Sequence, residues 1–200
     1  MQLIVATRNA HKTHEIQRIL GPTFTVSDLS AHPEIPDTRE TGKSYEKNAI
    51  LKAVGASRHF PGLIIADDSG LEVDALGGAP GIFSARYAGQ NATDKQNIDK
   101  LLVELARTGA KETKRSARFR CVIALARQGE LLGTFEGIVE GTIVERARGS
   151  YGFGYDPIFV PRGFEETFAE LPPEVKNTIS HRAKATRGLT AKLVALRTAD

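Results

Sequence analysis

The chain has 200 residues, 40% of them hydrophobic and 26% charged, and a formal net charge of +3 at pH 7. That length suits one domain covering residues 1–200, with enough apolar residues for a sizeable core, and the composition excludes a disordered or fibrous protein. A single cysteine, Cys121, excludes an internal disulfide and cysteine-based zinc clusters.

Along the chain, Leu3-Ile4-Val5-Ala6 reads as a buried strand and Thr7-Arg8-Asn9 as the turn after it. Ile16, Ile19 and Leu20 then recur at helical spacing, and Gly21-Pro22 stops that helix. Residues 30–43 are rich in proline, glycine and charge and read as a loop. Ser44 is an N-cap candidate for a helix running to about Arg58, with Lys47 where a capping box would have Glu or Gln. Leu63-Ile64-Ile65-Ala66 is an uninterrupted apolar run, as in a central strand covered on both faces, and it ends at two aspartates. A Gly-Pro-Ala-rich irregular stretch covers 75–91, and Thr93 to Gln96 forms a capping box. The helix it opens carries Ile98, Leu101, Leu102, Leu105 and Ala106 on one stripe.

Residues 117–126 alternate as an antiparallel strand does, which makes Cys121 a small buried hydrophobe. A second strand pair is predicted around 131–145, punctuated by Gly133, Gly137 and Gly141. A last helix starts at Ser180 and turns Leu189, Leu193 and Leu196 inward. Helices and strands interleave around a hairpin region, which gives an α/β fold with a mixed sheet. No window reaches membrane-spanning length, and the N-terminal apolar run is too short for a signal core, so a cytoplasmic address is expected.

Chemistry concentrates in five places. The first is the strand–turn–helix at Thr7 to Lys12, where free helix N–H groups and Lys12 suit a phosphate; the alternative is an ordinary N-cap followed by a solvated lysine. The second is Asp67-Asp68-Ser69-Gly70, where two carboxylates leaving a dry strand need compensation. Magnesium prefers such oxygen ligands, and because side chains alternate along a strand only one aspartate would face it; the alternative is a turn capped by Asp. Glu40 adds a third carboxylate, and Ser44, Asn48 and Lys52 share a helix face that aims Lys52 at the same place or is simply solvated.

The fourth is Gly149 to Pro157, where glycines permit close backbone approach and interleaved rings can stack on a base, unless the aromatics are merely buried. The fifth is Lys176 with Ser180-His181-Arg182 at the start of the last helix. Gly42-Lys43-Ser44 imitates the end of a P-loop, but Asp37 stands where the first glycine belongs and no buried strand precedes it.

Seven blocks now match a known pattern in order: AT-x-N-x-x-K at 6–12, ETG at 40–42, NAILKA at 48–53, ADDSGLEVDALGGAPGIFSARYAG at 66–89, GFGYDPIF at 152–159, TFAEL at 167–171 and K-N-x-ISHRAKA at 176–185. The chain resembles the inosine triphosphate pyrophosphatase family over nearly its whole length. The resemblance implies an ITPase-like α/β fold, with an elongated mixed β-sheet flanked by helices and two lobes with the nucleotide cleft between them, usually as a homodimer. It implies magnesium-dependent hydrolysis of ITP, dITP or XTP to the monophosphate and pyrophosphate, which keeps deaminated purines out of DNA and RNA.

By position, the resemblance gives Thr7, Arg8, Asn9, Ala10, His11 and Lys12 to the triphosphate, and Glu40 and Asp68 to magnesium, with Asp68 also taking the proton of the attacking water. Lys52 and Ser69 would contact substrate, and Phe153, Gly154, Tyr155 and Asp156 would form the base and sugar pocket with Phe153 stacked on the purine. Lys176, His181 and Arg182 would close over it, the last two near the base. Relatives commonly have Gly near positions 8 and 11, where Arg8 and His11 stand here, and Glu where Lys47 stands. A non-catalytic nucleotide- or RNA-binding module would explain the cations and rings, but would leave Glu40, Asp67 and Asp68 without purpose beside a polyanion; neither nucleic acid nor membrane is expected as a partner.

Overall fold

The computed structural model describes residues 1–36, 38–111 and 114–197. Its regular elements are β1 (Gln2–Val5), α1 (Ala10–Leu20), β2 (Thr25–Asp28), α2 (Tyr45–Ser57), β3 (Leu63–Val73), α3 (Asp94–Arg107), β4 (Ser116–Arg127), β5 (Glu130–Ile143), β6 (Phe159–Pro161), α4 (Pro173–Ile179) and α5 (His181–Arg197). Short 3₁₀ turns occupy Asp74–Leu76, Gly81–Arg86 and Asp156–Ile158. The six strands form one sheet in the order β2-β1-β3-β4-β5-β6. β1 runs parallel to both β2 and β3, and β5 antiparallel to β6, so the sheet is mixed as the sequence predicts.

The chain divides into two compact units, Met1–Asp68 with Cys121–Gly137 and His181–Asp200, and Ser69–Arg120 with Ile138–Ser180. In the first, Leu3, Val5, Leu63 and Ile65 meet Ile16 and Leu20 of α1, Cys121, Ile123 and Leu125 of β4, and Leu189 and Leu193 of α5. Strands buried on both faces need apolar residues at successive positions, which is why β1 and the start of β3 read as continuous hydrophobic runs. In the second, Leu101 and Leu105 of α3 pack into a cluster with Phe119, Phe159 and Phe168, whose ring centroids lie 4.7 to 6.0 Å apart. The Thr93–Gln96 capping box opens α3: the Gln96 N–H donates to Thr93 Oγ1 at 3.3 Å and the Thr93 N–H to Gln96 Oε1 at 2.8 Å.

Four features differ from the sequence reading. β3 does not stop before the aspartates but carries Asp67 and Asp68 in its interior and ends at Val73. The predicted second strand pair is one strand, β5, of 14 residues. β4 alternates only in its first half, since residues from Cys121 to Ala126 are all buried. β2 and α4 are additional elements, each too short or too polar to show a periodic signal.

The glycines of β5 explain its misreading. They look like breaks, yet two of them mark places where another backbone comes too close for a side chain. A Cβ on Gly137 would lie 2.1 Å from the His181 carbonyl oxygen and 2.6 Å from the Ala185 nitrogen, both in α5. One on Gly141 would lie 2.2 Å from the carbonyl oxygen of Val160 in β6. Gly137→Ala is therefore expected to destabilise the protein by about 1–3 kcal/mol or more, as overpacking does. Urea denaturation of the variant beside the parent measures it, and an unchanged midpoint would contradict the contact.

Candidate active site

β1 delivers the chain into the first cluster. The Ala6 N–H donates to the Ile65 carbonyl at 2.7 Å, which holds the β1–α1 turn alongside β3. Asn9 caps α1, its Oδ1 accepting from the N–H groups of His11 at 3.0 Å and Lys12 at 3.4 Å, while Thr7 Oγ1 accepts from the Asn9 N–H at 3.1 Å. The N-cap half of the alternative reading thus holds, with Asn9 Oδ1 as the accepting cap, but Lys12 is not a solvated lysine, since its ammonium bonds Asp67. Arg8 turns back onto the following loop, donating to the carbonyls of Leu29 at 2.8 Å and Ile35 at 3.5 Å. Ala10 and His11 are exposed in the first turn of α1.

Asp67 and Asp68 part company because successive strand side chains point to opposite faces. Asp67 is 1% exposed and sits among cations: Arg182 donates from Nε at 3.0 Å and from Nη2 at 3.4 Å, and Lys12 Nζ bonds its Oδ1. The Cys121 thiol donates to Asp67 Oδ2 at 2.9 Å, so this cysteine is more than a small hydrophobe. Arg182 also reaches Glu15 Oε2 of α1 at 2.6 Å. Burial would raise the Asp67 carboxyl, but the Arg182 guanidinium and the Lys12 ammonium hold it well below the usual carboxylate range. Burial, and then the neighbouring Asp67 charge, push the Cys121 thiol far above its ordinary value and leave it a neutral donor.

Asp68 meets α2 instead. Ser44 caps that helix through the Lys47 N–H at 3.2 Å, which turns Asn48 and Lys52 inward rather than to solvent. Lys52 Nζ donates to Asp68 Oδ1 at 2.8 Å, to Glu40 Oε1 at 2.9 Å and to the Asp67 carbonyl at 2.8 Å. Asn48, fully buried, donates to Asp68 Oδ2 at 3.4 Å and accepts from the Gly42 N–H at 2.8 Å. Gly42 has no room for more, since a Cβ there would lie 2.6 Å from Asn48 Oδ1. Burial raises the Asp68 pKa despite the opposing Lys52 charge, and Asp68 with Glu40 raises that of Lys52 against its own burial. The solvated-stripe alternative for this helix face is thereby excluded.

The second cluster lies in the other unit, on the loop from Gly149 to Asp156. Asp156 is buried and its Oδ2 accepts from the Phe153 N–H at 2.9 Å and from Lys176 Nζ, itself only 4% exposed. Lys176 Nζ also lies 5.0 Å from the centre of the half-buried Phe153 ring. The Gly154 N–H donates to Asp94 Oδ2 at 2.7 Å, and the buried Tyr155 hydroxyl donates to the Ser84 carbonyl at 2.9 Å. Gly152 has a φ of 74°, and a Cβ on it would lie 2.0 Å from Asp156 Oδ2, so only glycine fits.

Sequence reasoning thus identified residues that do meet. Lys12, Lys52, Glu40 and Asp68 gather around β3, and Phe153 to Asp156 gather with Lys176. Ser69, half-buried, follows Asp68 on β3, and His181 and Arg182 are buried in the first turn of α5. Arg182 spends its guanidinium on Asp67 and Glu15, and Asp156 and Lys176 spend their charges on each other. Asn48, Glu15, Cys121 and Asp94 were assigned no site role. Asn48 could have been found from its place on the Lys52 face, whereas Asp94 carries no signal beyond its place in a capping box. Lys47 is exposed, and the adjacent Glu46 accepts from Thr134 Oγ1 at 3.1 Å.

The fold and this geometry define a class: an α/β protein with a helix N-terminus and a lysine-bridged carboxylate pair suited to an anionic ligand. Comparison narrows it. Residues 3–192 match the model of the Ham1 family, and the chain belongs to that family. It is 46% identical over 195 residues to the dITP/XTP pyrophosphatase of Bacillus subtilis, covering 97% of this chain and 98% of that one. It is 48% identical over 198 residues to the dITP/XTP pyrophosphatase of Methylococcus capsulatus, covering 98% and 97%. Among solved structures, a HAM1 protein from Coxiella burnetii superposes with a TM-score of 0.86 at 40% identity, covering 98% of this chain and 99% of that one. The Staphylococcus aureus Ham1 protein does so with a TM-score of 0.83 at 42% identity, with the same coverages.

The two aspartates should respond oppositely to mutation. Asp67→Asn leaves Arg182 and Lys12 without their shared anion, at an expected cost of about 3–5 kcal/mol. Because folding depresses the Asp67 pKa, its contribution is complete above the ordinary value of 3.8 and is lost as pH falls through the folded value. The gap between parent and Asp67→Asn should therefore narrow as the pH is lowered below that point. Folding raises the Asp68 pKa, so ionising it within the fold costs stability as pH rises, and Asp68→Asn should be neutral or stabilising at pH 7. Denaturant midpoints of both variants between pH 3 and 7 check this; equal losses at pH 7 would contradict it.

Proposed function

We propose that this protein hydrolyses the nonstandard purine nucleoside triphosphates ITP, dITP and XTP to the monophosphate and pyrophosphate, with Asp68 as the base. That it is a nucleoside-triphosphate pyrophosphatase follows from its family and from relatives matched over nearly their whole length. The observation that carries the residue assignment is the convergence of Asp68 and Glu40 on one ammonium, Lys52. Two carboxylates that share a lysine are close enough to share a cation, and magnesium characteristically takes one or two carboxylates together with substrate phosphates.

Bound by Glu40 and Asp68, magnesium would neutralise phosphate charge and align the scissile anhydride. The remaining work falls to side chains. Asp68, made more basic by burial, takes a proton from water as the oxygen attacks the α-phosphorus. The bond from that phosphorus to the bridging oxygen breaks, its electron pair stays with the β-phosphate, and pyrophosphate leaves. Thr7 to Lys12 and Lys52 hold the phosphates, with Ser69 also at the substrate. Phe153 stacks on the purine, with Gly154 and Tyr155 beside it, and Asp156 and Lys176 support that loop. His181 and Arg182 act at the base, or through Asp67 in the case of Arg182. A donor opposite the 6-position favours oxo bases, because adenine would face it with another donor.

The role this implies is the removal of deaminated purines from the nucleotide pool, in the cytoplasm, by a homodimer. No described helix is long and apolar enough to cross a membrane. Purified protein with magnesium, assayed against ITP, XTP, GTP, ATP, CTP and UTP, should release pyrophosphate from ITP and XTP far faster than from ATP, and chelation should abolish it. Orthophosphate as the product would place the attack at the γ-phosphorus and refute the proposal. Asp68→Asn should stay folded and lose about 10²–10⁴-fold in kcat, as expected on removing a general base; near-normal turnover would remove Asp68 from this role.

A further inference from the structure

We propose that Asp94, an exposed residue outside every matched block, is a positioning residue for the base-stacking ring of Phe153. The inference rests on the reading that Phe153 stacks on the purine, and it adds the group that holds the ring's backbone in place. Phe153 sits between glycines with φ of 74° at Gly152 and 60° at Gly154, so no side chain on either flank restrains it. Two carboxylates hold consecutive N–H groups of this segment. Asp156 Oδ2 accepts from the Phe153 N–H at 2.9 Å, and Asp94 Oδ2 accepts from the Gly154 N–H at 2.7 Å.

The two differ in kind. Asp156 is buried, shares its oxygen with Lys176, and belongs to the loop itself. Asp94 comes from the first helical position of α3, a helix fixed at that end by the Thr93–Gln96 capping box and anchored by Leu101 and Leu105 in the core. It is thus the point at which a glycine-rich loop is tied to a rigid element. Charge-assisted bonds from a carboxylate to a backbone N–H are among the stronger hydrogen bonds. The bond also occupies the Gly154 N–H, so that group does not serve as the donor opposite the 6-position of the base.

The consequence is pre-organisation. Without the Asp94 acceptor, the Gly152–Gly154 segment samples conformations in which the ring is displaced, and apparent affinity falls with the fraction of competent loop. Chemistry at Asp68 is untouched once substrate is bound, so the loss appears in KM and not in kcat. Asp94→Ala should raise KM for ITP roughly five- to tenfold, the net worth of one ordinary hydrogen bond, since water competes for the carboxylate at this exposed position, with kcat within about twofold of the parent. Asp94→Asn keeps an oxygen acceptor and should restore most of the affinity, which a helix-dipole effect of the charge would not allow.

The test is steady-state kinetics with ITP and magnesium on the parent, Asp94→Ala, Asp94→Asn, Phe153→Ala and the Asp94→Ala/Phe153→Ala double variant, with thermal melts to confirm folding. A KM rise in Asp94→Ala that Asn rescues, and that disappears once Phe153 is already Ala, supports the proposal. If Phe153→Ala raises KM while Asp94→Ala does not, the proposal is overturned and the stacking reading stands. Failure of Asn to rescue, additivity of the two losses, or a fall in kcat alone also overturns it. If Phe153→Ala leaves KM unchanged, the stacking reading fails first and takes this inference with it.

Discussion

A carboxylate placed in the dry interior of a strand has to be compensated or neutralised, and the arrangement around Asp67 follows from that requirement. Its compensation comes from three elements at once: Lys12 from α1, Arg182 from α5 and the Cys121 thiol from β4. Glu15, one turn along α1 from Lys12, takes the remaining charge of Arg182 and ties α1 to α5 a second time. The turn at Thr7 to Lys12 is therefore held by an ion-paired network as well as by the apolar contacts of Ile16, Leu20, Leu189 and Leu193. Removing the anion at the centre would strip buried Arg182 and half-buried Lys12 of the carboxylate they share, leaving Arg182 with Glu15, which is why the cost is expected to be large.

Much of this was legible in the sequence, and for identifiable reasons. Continuous apolar runs gave β1 and the start of β3, and the capping residues Ser44 and Thr93 marked helix starts that the hydrogen bonds reproduce. The spacing by four of Ser44, Asn48 and Lys52 put Lys52 beside Asp68, although spacing alone could not distinguish a buried face from a solvated one. Alternation along a strand correctly implied that Asp67 and Asp68 would have different partners.

What escaped the sequence is what depends on contacts distant along the chain. Gly137 and Gly141 look like strand breaks until the backbones of α5 and β6 are seen against them. Cys121 looks like one more apolar residue until Asp67 is found within reach of its sulfur. Arg182 and Lys176 look like free cations at a helix end, yet each has a buried carboxylate as partner, Asp67 for one and Asp156 for the other. β2 and α4 are short and only partly buried, so their hydrophobic period is too brief to read.

The adjacency of the two aspartates has a further physical meaning. Burial raises the Asp68 pKa, and Lys52 only partly opposes that. Lys52 serves both ends, bonding the Asp68 carboxylate and the Asp67 carbonyl from one ammonium. Asp67, pinned by Lys12 and Arg182 on the opposite face, fixes the strand at the residue immediately before Asp68. A carboxylate kept ionised by cations thus anchors the backbone of one made more basic by burial, and the opposite directions of their pKa shifts record that division of labour.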